Sequence, residues 1–178
     1  MDGLGGAERR HRETFAERRA RRAEIDDPEV VLNAAARYLE VRSRSVAEVR
    51  RHLIAAGYAA ELVEAAVTRL VSLGMLDDAT FAAAWLESRD RARPRSAMVL
   101  RRELTQKGID RELIDELLEQ RAETDEDPDL AAARRLLARR SAALARIPDE
   151  RLRRQRAYAL LARNGFDPEV CKAALNQL

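Results

Sequence analysis

Seven glycines, five prolines, one cysteine and 4% aromatics are all that 178 residues contain of these types, and each scarcity removes a class of protein. The single Cys171 excludes an intrachain disulfide framework. With only two histidines, His11 and His52, far apart in sequence, no thiolate and imidazole spacing for zinc exists either. Few aromatic residues and glycines, set against abundant Ala, Leu, Arg and Glu, argue against a sheet protein and for helices. Nowhere do about 18 uncharged apolar residues run together. The first 27 residues carry seven Arg and seven acidic residues with no apolar secretion core, so a soluble, cytoplasmic protein is expected. Phosphate loops and nucleophile elbows are missing as well, and neither an enzyme nor a bound cofactor is expected.

What is present is charge and apolar bulk. Charged residues make up 36% and apolar residues 46% of the chain, enough for a core and too much for a disordered polymer. The 33 basic and 31 acidic residues nearly cancel, so only their distribution speaks of partners. Residues 1–26 contain few apolar side chains and are expected to be disordered or frayed, or at most a solvated helix.

Beyond this tail the sequence repeats. Shifting Ser45–Leu70 by 51 residues superposes Ser45, Arg50, Arg51, Leu53, Gly57, Glu61 and Leu62 on identical residues at 96, 101, 102, 104, 108, 112 and 113. A shift of 108 finds a more diverged copy in Leu161, Gly165, Glu169, Ala174 and Leu178. In each copy a leucine precedes the glycine by four residues, and Tyr58, Ile109 or Phe166 follows it. That is the pattern of a helix ending in a left-handed glycine, with the next apolar side chain folded back. Asp110 and Asp167 then stand at caps of the following helix, and Leu62, Val63, Ala66, Val67 and Leu70 form one apolar stripe at helical spacing. A further helix opens each copy after Asp27, Asp77 and Asp127. The fold is therefore expected to be all-α, with three tandem three-helix repeats at 27–76, 77–126 and 127–178. Stacked repeats are expected to make an elongated, curved array.

Charge alternates with the repeat. Residues 42–56, 89–107 and 134–156 sum to +3, +5 and +7, whereas 60–81 and 110–129 sum to −3 and −8. Arg42, Arg44, Arg50 and Arg51 recur as Arg93, Arg95, Arg101 and Arg102, and the third middle helix adds Arg153, Arg154 and Arg156. With Val46, Val49 and Leu53 buried, the Arg50 and Arg51 heads reach solvent. These eleven arginines are the expected partner-binding set, against the plainer reading of a solvated arginine face. Other features read as structural: Asp77 and Asp78 as a helix cap, Cys171 as a buried thiol on an apolar stripe, Trp85 as packing beside Phe81, and His52 as neither base nor ligand.

In their order along the chain, the stretches RSRSVAEVRRHL with Gly57-Tyr58, LVSLGMLDDATFA, and RPRSAMVLRREL with Lys107-Gly108-Ile109 resemble the RecX family of bacterial recombination regulators. The middle block is the most specific. The third copy departs from the pattern, with Arg153 and Tyr158 where Ser45 and Arg50 stand in the first. The resemblance implies a nonenzymatic, monomeric protein that binds the RecA recombinase filament on single-stranded DNA. It would inhibit the filament's ATPase, strand-exchange and coprotease activities, within DNA repair and the SOS response. The competing reading is an autonomous helical nucleic-acid-binding module. Its second hairpin helix, Asp110–Leu118, is acidic and would be repelled by phosphates in a groove.

Overall fold

The computed structural model describes residues 13–124 and 127–176, and among them every regular element is an α-helix. The helices are α1 (Phe15–Ala23), α2 (Pro28–Val41), α3 (Val46–Ala56), α4 (Ala60–Ser72), α5 (Asp78–Ala92), α6 (Ala97–Lys107), α7 (Arg111–Thr124), α8 (Pro128–Ala145), α9 (Glu150–Arg163) and α10 (Pro168–Leu175). The aspartates expected as caps are caps. Asp27, Asp77, Asp127 and Asp167 each accept a hydrogen bond from the backbone N–H two residues on, and Asp110 accepts one from Glu112 at 2.8 Å.

The middle helices end as their glycines dictate. Ile109 and Phe166 donate their N–H groups back to Leu104 and Leu161, at 3.1 and 3.3 Å, while Gly108 and Gly165 donate to the carbonyls three residues earlier. Both glycines take the left-handed conformation, with φ of 81° and 86°. Gly57 and Tyr58 make the same pair of bonds at the end of α3.

Residues 1–26 are expected to be disordered or frayed, or at most a solvated helix. Residues 1–12 lie outside the described residues, but the stretch Phe15–Ala23 is helix α1. Its start is fixed by a capping box: Glu17 N–H donates to the Thr14 hydroxyl, and Thr14 N–H donates to the Glu17 carboxylate at 2.7 Å. No α1 residue is buried, so the helix is held by polar contacts instead of a core face. Arg22 donates to the Ala56 carbonyl at 3.4 Å and lies over the Tyr58 ring.

Backbone contacts gather the chain into two compact units. The first comprises the described residues up to Arg42 together with Val49–Met75, and the second comprises Ser43–Glu48 together with the described residues from Leu76 onward. In the first unit α2 packs along α4, burying Val31, Ala35, Val63, Ala66, Val67 and Leu70, with Val49 and Leu53 of α3. The second unit holds two apolar clusters, one for each of its three-helix sets. Phe81, Leu86, Leu100, Leu104, Ile114 and Leu118 fill α5–α7, and Leu136, Leu137, Leu161, Phe166, Cys171 and Ala174 fill α8–α10. Each set thus closes its own core, and polar contacts join the two sets.

Candidate functional site

The eleven arginines separate by unit. In the first, Arg42 ends α2 and is exposed, and Arg51 is exposed on α3. Arg50 grips Glu64 of α4 with two hydrogen bonds, at 2.5 and 2.8 Å. That hydrogen-bonded guanidinium holds the Glu64 carboxyl below its ordinary range.

In the second unit, Arg101 makes the equivalent ion pair with Asp115 of α7, and Arg111 approaches the same carboxylate at 3.7 Å. Glu64 and Asp115 stand 51 residues apart, like Arg50 and Arg101, so the recurrence of these arginines reflects a repeated ion pair inside each helix set. The sequence offered that signal in the paired acids, and it was missed. Arg102 is exposed, Arg44 is half-buried, and on α9 Arg154 and Arg156 are exposed while Arg153 donates to the Ile147 carbonyl at 3.3 Å.

Arg93 and Arg95 flank Pro94, which is fully buried and leaves no slack in the α5–α6 loop. Arg93 ends α5 and is exposed; Arg95 donates to the Asn164 side chain at 2.6 Å. Asn164 is itself anchored, its amide donating to the Leu160 carbonyl at 2.6 Å. The structure brings these two arginines together with Arg139 and Arg140 of α8, which sequence reading did not single out although they fall in its most basic stretch.

Two joints hold the second unit together, and both are built on a buried serine. Ser45 donates its hydroxyl to the Lys107 carbonyl at 2.6 Å, and the Val46 N–H is taken by Asp78 at 2.9 Å. Ser96 donates its N–H to the Asn164 carbonyl at 3.4 Å, and the Ala97 N–H is taken by Asp129 at 2.8 Å. Asp77 therefore caps its helix, while its neighbour Asp78 reaches across to another. The Asp129 carboxyl sits above its ordinary pKa because burial outweighs the Ala97 hydrogen bond and the nearby Arg121 charge.

The remaining chemistry-bearing side chains are occupied by packing. Trp85 donates to Glu103 at 2.9 Å and carries Arg89 and Lys107 over its ring, at 4.3 and 4.7 Å from the centroid. The Cys171 thiol is fully buried, which pushes its pKa up. His52 stacks on Tyr38 at 3.7 Å. Among the described residues no cluster of three or more His, Cys, Asp or Glu could hold a metal ion, and no helix is long and apolar enough to cross a membrane.

Comparison with known proteins bears directly on this architecture. Family models described as the first, second and third three-helix domains of RecX match residues 32–70, 77–118 and 127–175. The regulatory protein RecX of Prosthecochloris aestuarii is 34% identical over 156 residues, covering 85% of this chain and 95% of that one. The regulatory protein RecX of Mycobacterium marinum is 32% identical over 143 residues, covering 80% and 81%. The crystal structure of RecX from Lactobacillus salivarius superposes with a TM-score of 0.64 at 20% identity, over 86% of this chain and 97% of that chain, which shows a shared fold. With all three helix sets matched in order and relatives aligned along most of their length, the chain belongs to the RecX family of regulatory proteins.

Proposed function

We propose that this protein is a nonenzymatic, cytoplasmic regulator that binds the RecA recombinase filament on single-stranded DNA and inhibits its ATPase, strand-exchange and coprotease activities. Family membership supports the regulatory role, since the relatives that align along most of the chain are named regulatory proteins. The observation that carries the reading is chemical: Arg93, Arg102, Arg154 and Arg156 are exposed and make no ion pair with any described residue. Exposed guanidinium groups of this kind suit acidic protein surfaces and nucleic-acid phosphates. The three expected repeats, 27–76, 77–126 and 127–178, would act as modules along the filament, with the protein working as a monomer.

The test is purified protein added below stoichiometry to RecA on single-stranded DNA, with ATP turnover as the readout. Falling turnover supports inhibition; unchanged turnover and filament length at low salt sink it. Charge reversal should be confined to Arg102 and Arg154, which are exposed and make no ion pair with any described residue. Reversing Arg50 or Arg101 would set two acids against each other and disturb the fold. The variant Arg102→Glu/Arg154→Glu is expected to lose inhibition while keeping its helicity.

A further inference from the structure

Several arginines on α5–α7 pair with a carboxylate. Arg89 pairs with Glu103 at 2.6 Å, Arg121 with Asp90 at 2.8 Å, and Arg101 with Asp115. The cavity lined by Arg93, Arg95, Arg139 and Arg140, about 470 Å³ in volume, gathers four arginines with no acidic residue in its lining. Arg95 donates to the neutral Asn164 side chain, and Arg139 donates to the carbonyls of Ala92, at 3.4 Å, and Arg91. Arg93 and Arg140 make no side-chain hydrogen bond or ion pair with any described residue. The buried Nε of Arg95 meets no acceptor. Four converging cations with only neutral acceptors repel one another, and a bound anion relieves that repulsion.

The anion's chemistry follows from the donors. Guanidinium forks match the tetrahedral oxygens of a phosphate, which can accept from several of them at once. The cavity does not end at one phosphate. Arg140 and Leu160 also line an adjoining cavity of about 570 Å³, where Arg156 and Arg163 face the apolar side chains of Ile147 and Leu152. Cations spaced along a partly apolar trough suit a chain of phosphates separated by organic units.

We propose that the four-arginine cavity is a phosphate-binding site, which receives a phosphoryl group from a single-stranded nucleic-acid backbone or from a free polyphosphate. This deepens the proposed function by assigning Arg93 and Arg95 to phosphate instead of to the recombinase. Its test contains no recombinase, so it fails separately from that reading.

The experiment uses the full chain with two probes, a fluorescent oligodeoxythymidylate followed by anisotropy across a salt series and tripolyphosphate followed by calorimetry. Three double variants are compared at equal helicity: Arg93→Ala/Arg140→Ala, Arg93→Lys/Arg140→Lys, and the exposed pair Arg134→Ala/Arg151→Ala, which lines neither cavity. The alanine pair in the cavity is expected to weaken binding about tenfold or more, and to lower the salt slope for the oligonucleotide by about two. The Arg134/Arg151 pair is expected to change binding less than about threefold. Loss on the oligonucleotide alone identifies a nucleic-acid backbone as the source. Loss on both probes, with tripolyphosphate displacing the oligonucleotide, identifies phosphate from either source. Failure of both probes to bind, or equal losses in the cavity and control variants, overturns the site. Should the alanine pair lose helicity, the lysine pair decides, because it keeps the charge and removes the fork: unchanged affinity then overturns the proposal.

Discussion

The two serine joints of the second unit are built alike and finished differently. Each has a buried serine at the start of a middle helix, and each offers the next N–H to an aspartate 32 residues on. Around Ser45 the finish is ionic. Glu48 exchanges hydrogen bonds with Ser45 and pairs with Lys107 at 2.7 Å, both side chains being largely shielded from water. Around Ser96 the position of Glu48 is taken by Val99, and that of Lys107 by Asn164. Val99 packs against the turn at Gly165, and Asn164 receives Arg95. One joint cancels its cation locally and the other leaves it uncancelled beside a cavity, so a two-residue difference between repeats separates a structural latch from a candidate binding site.

The largest expected break is at the neutral joint. A Cβ on Gly165 would lie 2.3 Å from Val99 Cγ2 and 2.8 Å from Ser96 Oγ, at a φ of +86°. Gly165→Ala should therefore cost about 2–6 kcal/mol, from overpacking plus left-handed strain. Gly74, with a φ of +68°, has nothing within 4 Å of such a Cβ, so Gly74→Ala should cost only about 1 kcal/mol. Equal losses in urea unfolding would contradict the close approach at Gly165.

Next come the aspartates. Asp78→Ala and Asp129→Ala each deprive a partly buried N–H of its acceptor, and each should lose about 1–3 kcal/mol in the same unfolding experiment. Lys107→Met should lose about 1–3 kcal/mol by removing the cation beside the shielded Glu48 carboxylate. Added salt should narrow that loss more than it narrows the loss in Gly165→Ala, because only the first joint is ionic.

The smallest effects concern pH, and they should carry opposite signs. Glu64 has a lowered folded pKa, so its contribution is present above the usual carboxylate range and lost as pH falls through the folded value. It is exposed, and Glu64→Gln should cost only about 0–1 kcal/mol at neutral pH, shrinking on the acid side. Asp129 has a raised folded pKa, so its ionisation opposes folding and stability falls as pH rises through that window. Asp129→Asn keeps an acceptor for Ala97 and removes the charge. Thermal melts of this variant should gain on the parent as pH rises from the usual carboxylate range through the raised folded value.

Most of the helix layout was legible because its signals are local. Aspartate caps, glycine stops and apolar stripes act within a few residues, and those at Asp77, Gly108 and Val63–Leu70 appear where the pattern puts them. What was not legible depends on partners distant in sequence. Arg50 and Arg101 look like solvent-facing charge until α4 and α7 bring Glu64 and Asp115 alongside. Asp78 looks like half of a cap until the start of α3 arrives beside it. Helix α1 was legible only as the alternative of a solvated helix, because composition weighs apolar content and α1 is held by a capping box and arginine contacts. Arg139 and Arg140 were hidden in a long basic run, where only packing against the α5–α6 loop distinguishes them from their neighbours.

Trp85 is the chain's one tryptophan, and it lies in the second unit beneath Arg89 and Lys107. Its fluorescence is consequently a built-in gauge of that unit. Because Lys107 also closes the ionic joint, opening the latch would alter the indole's surroundings and register as a spectral change without any attached dye.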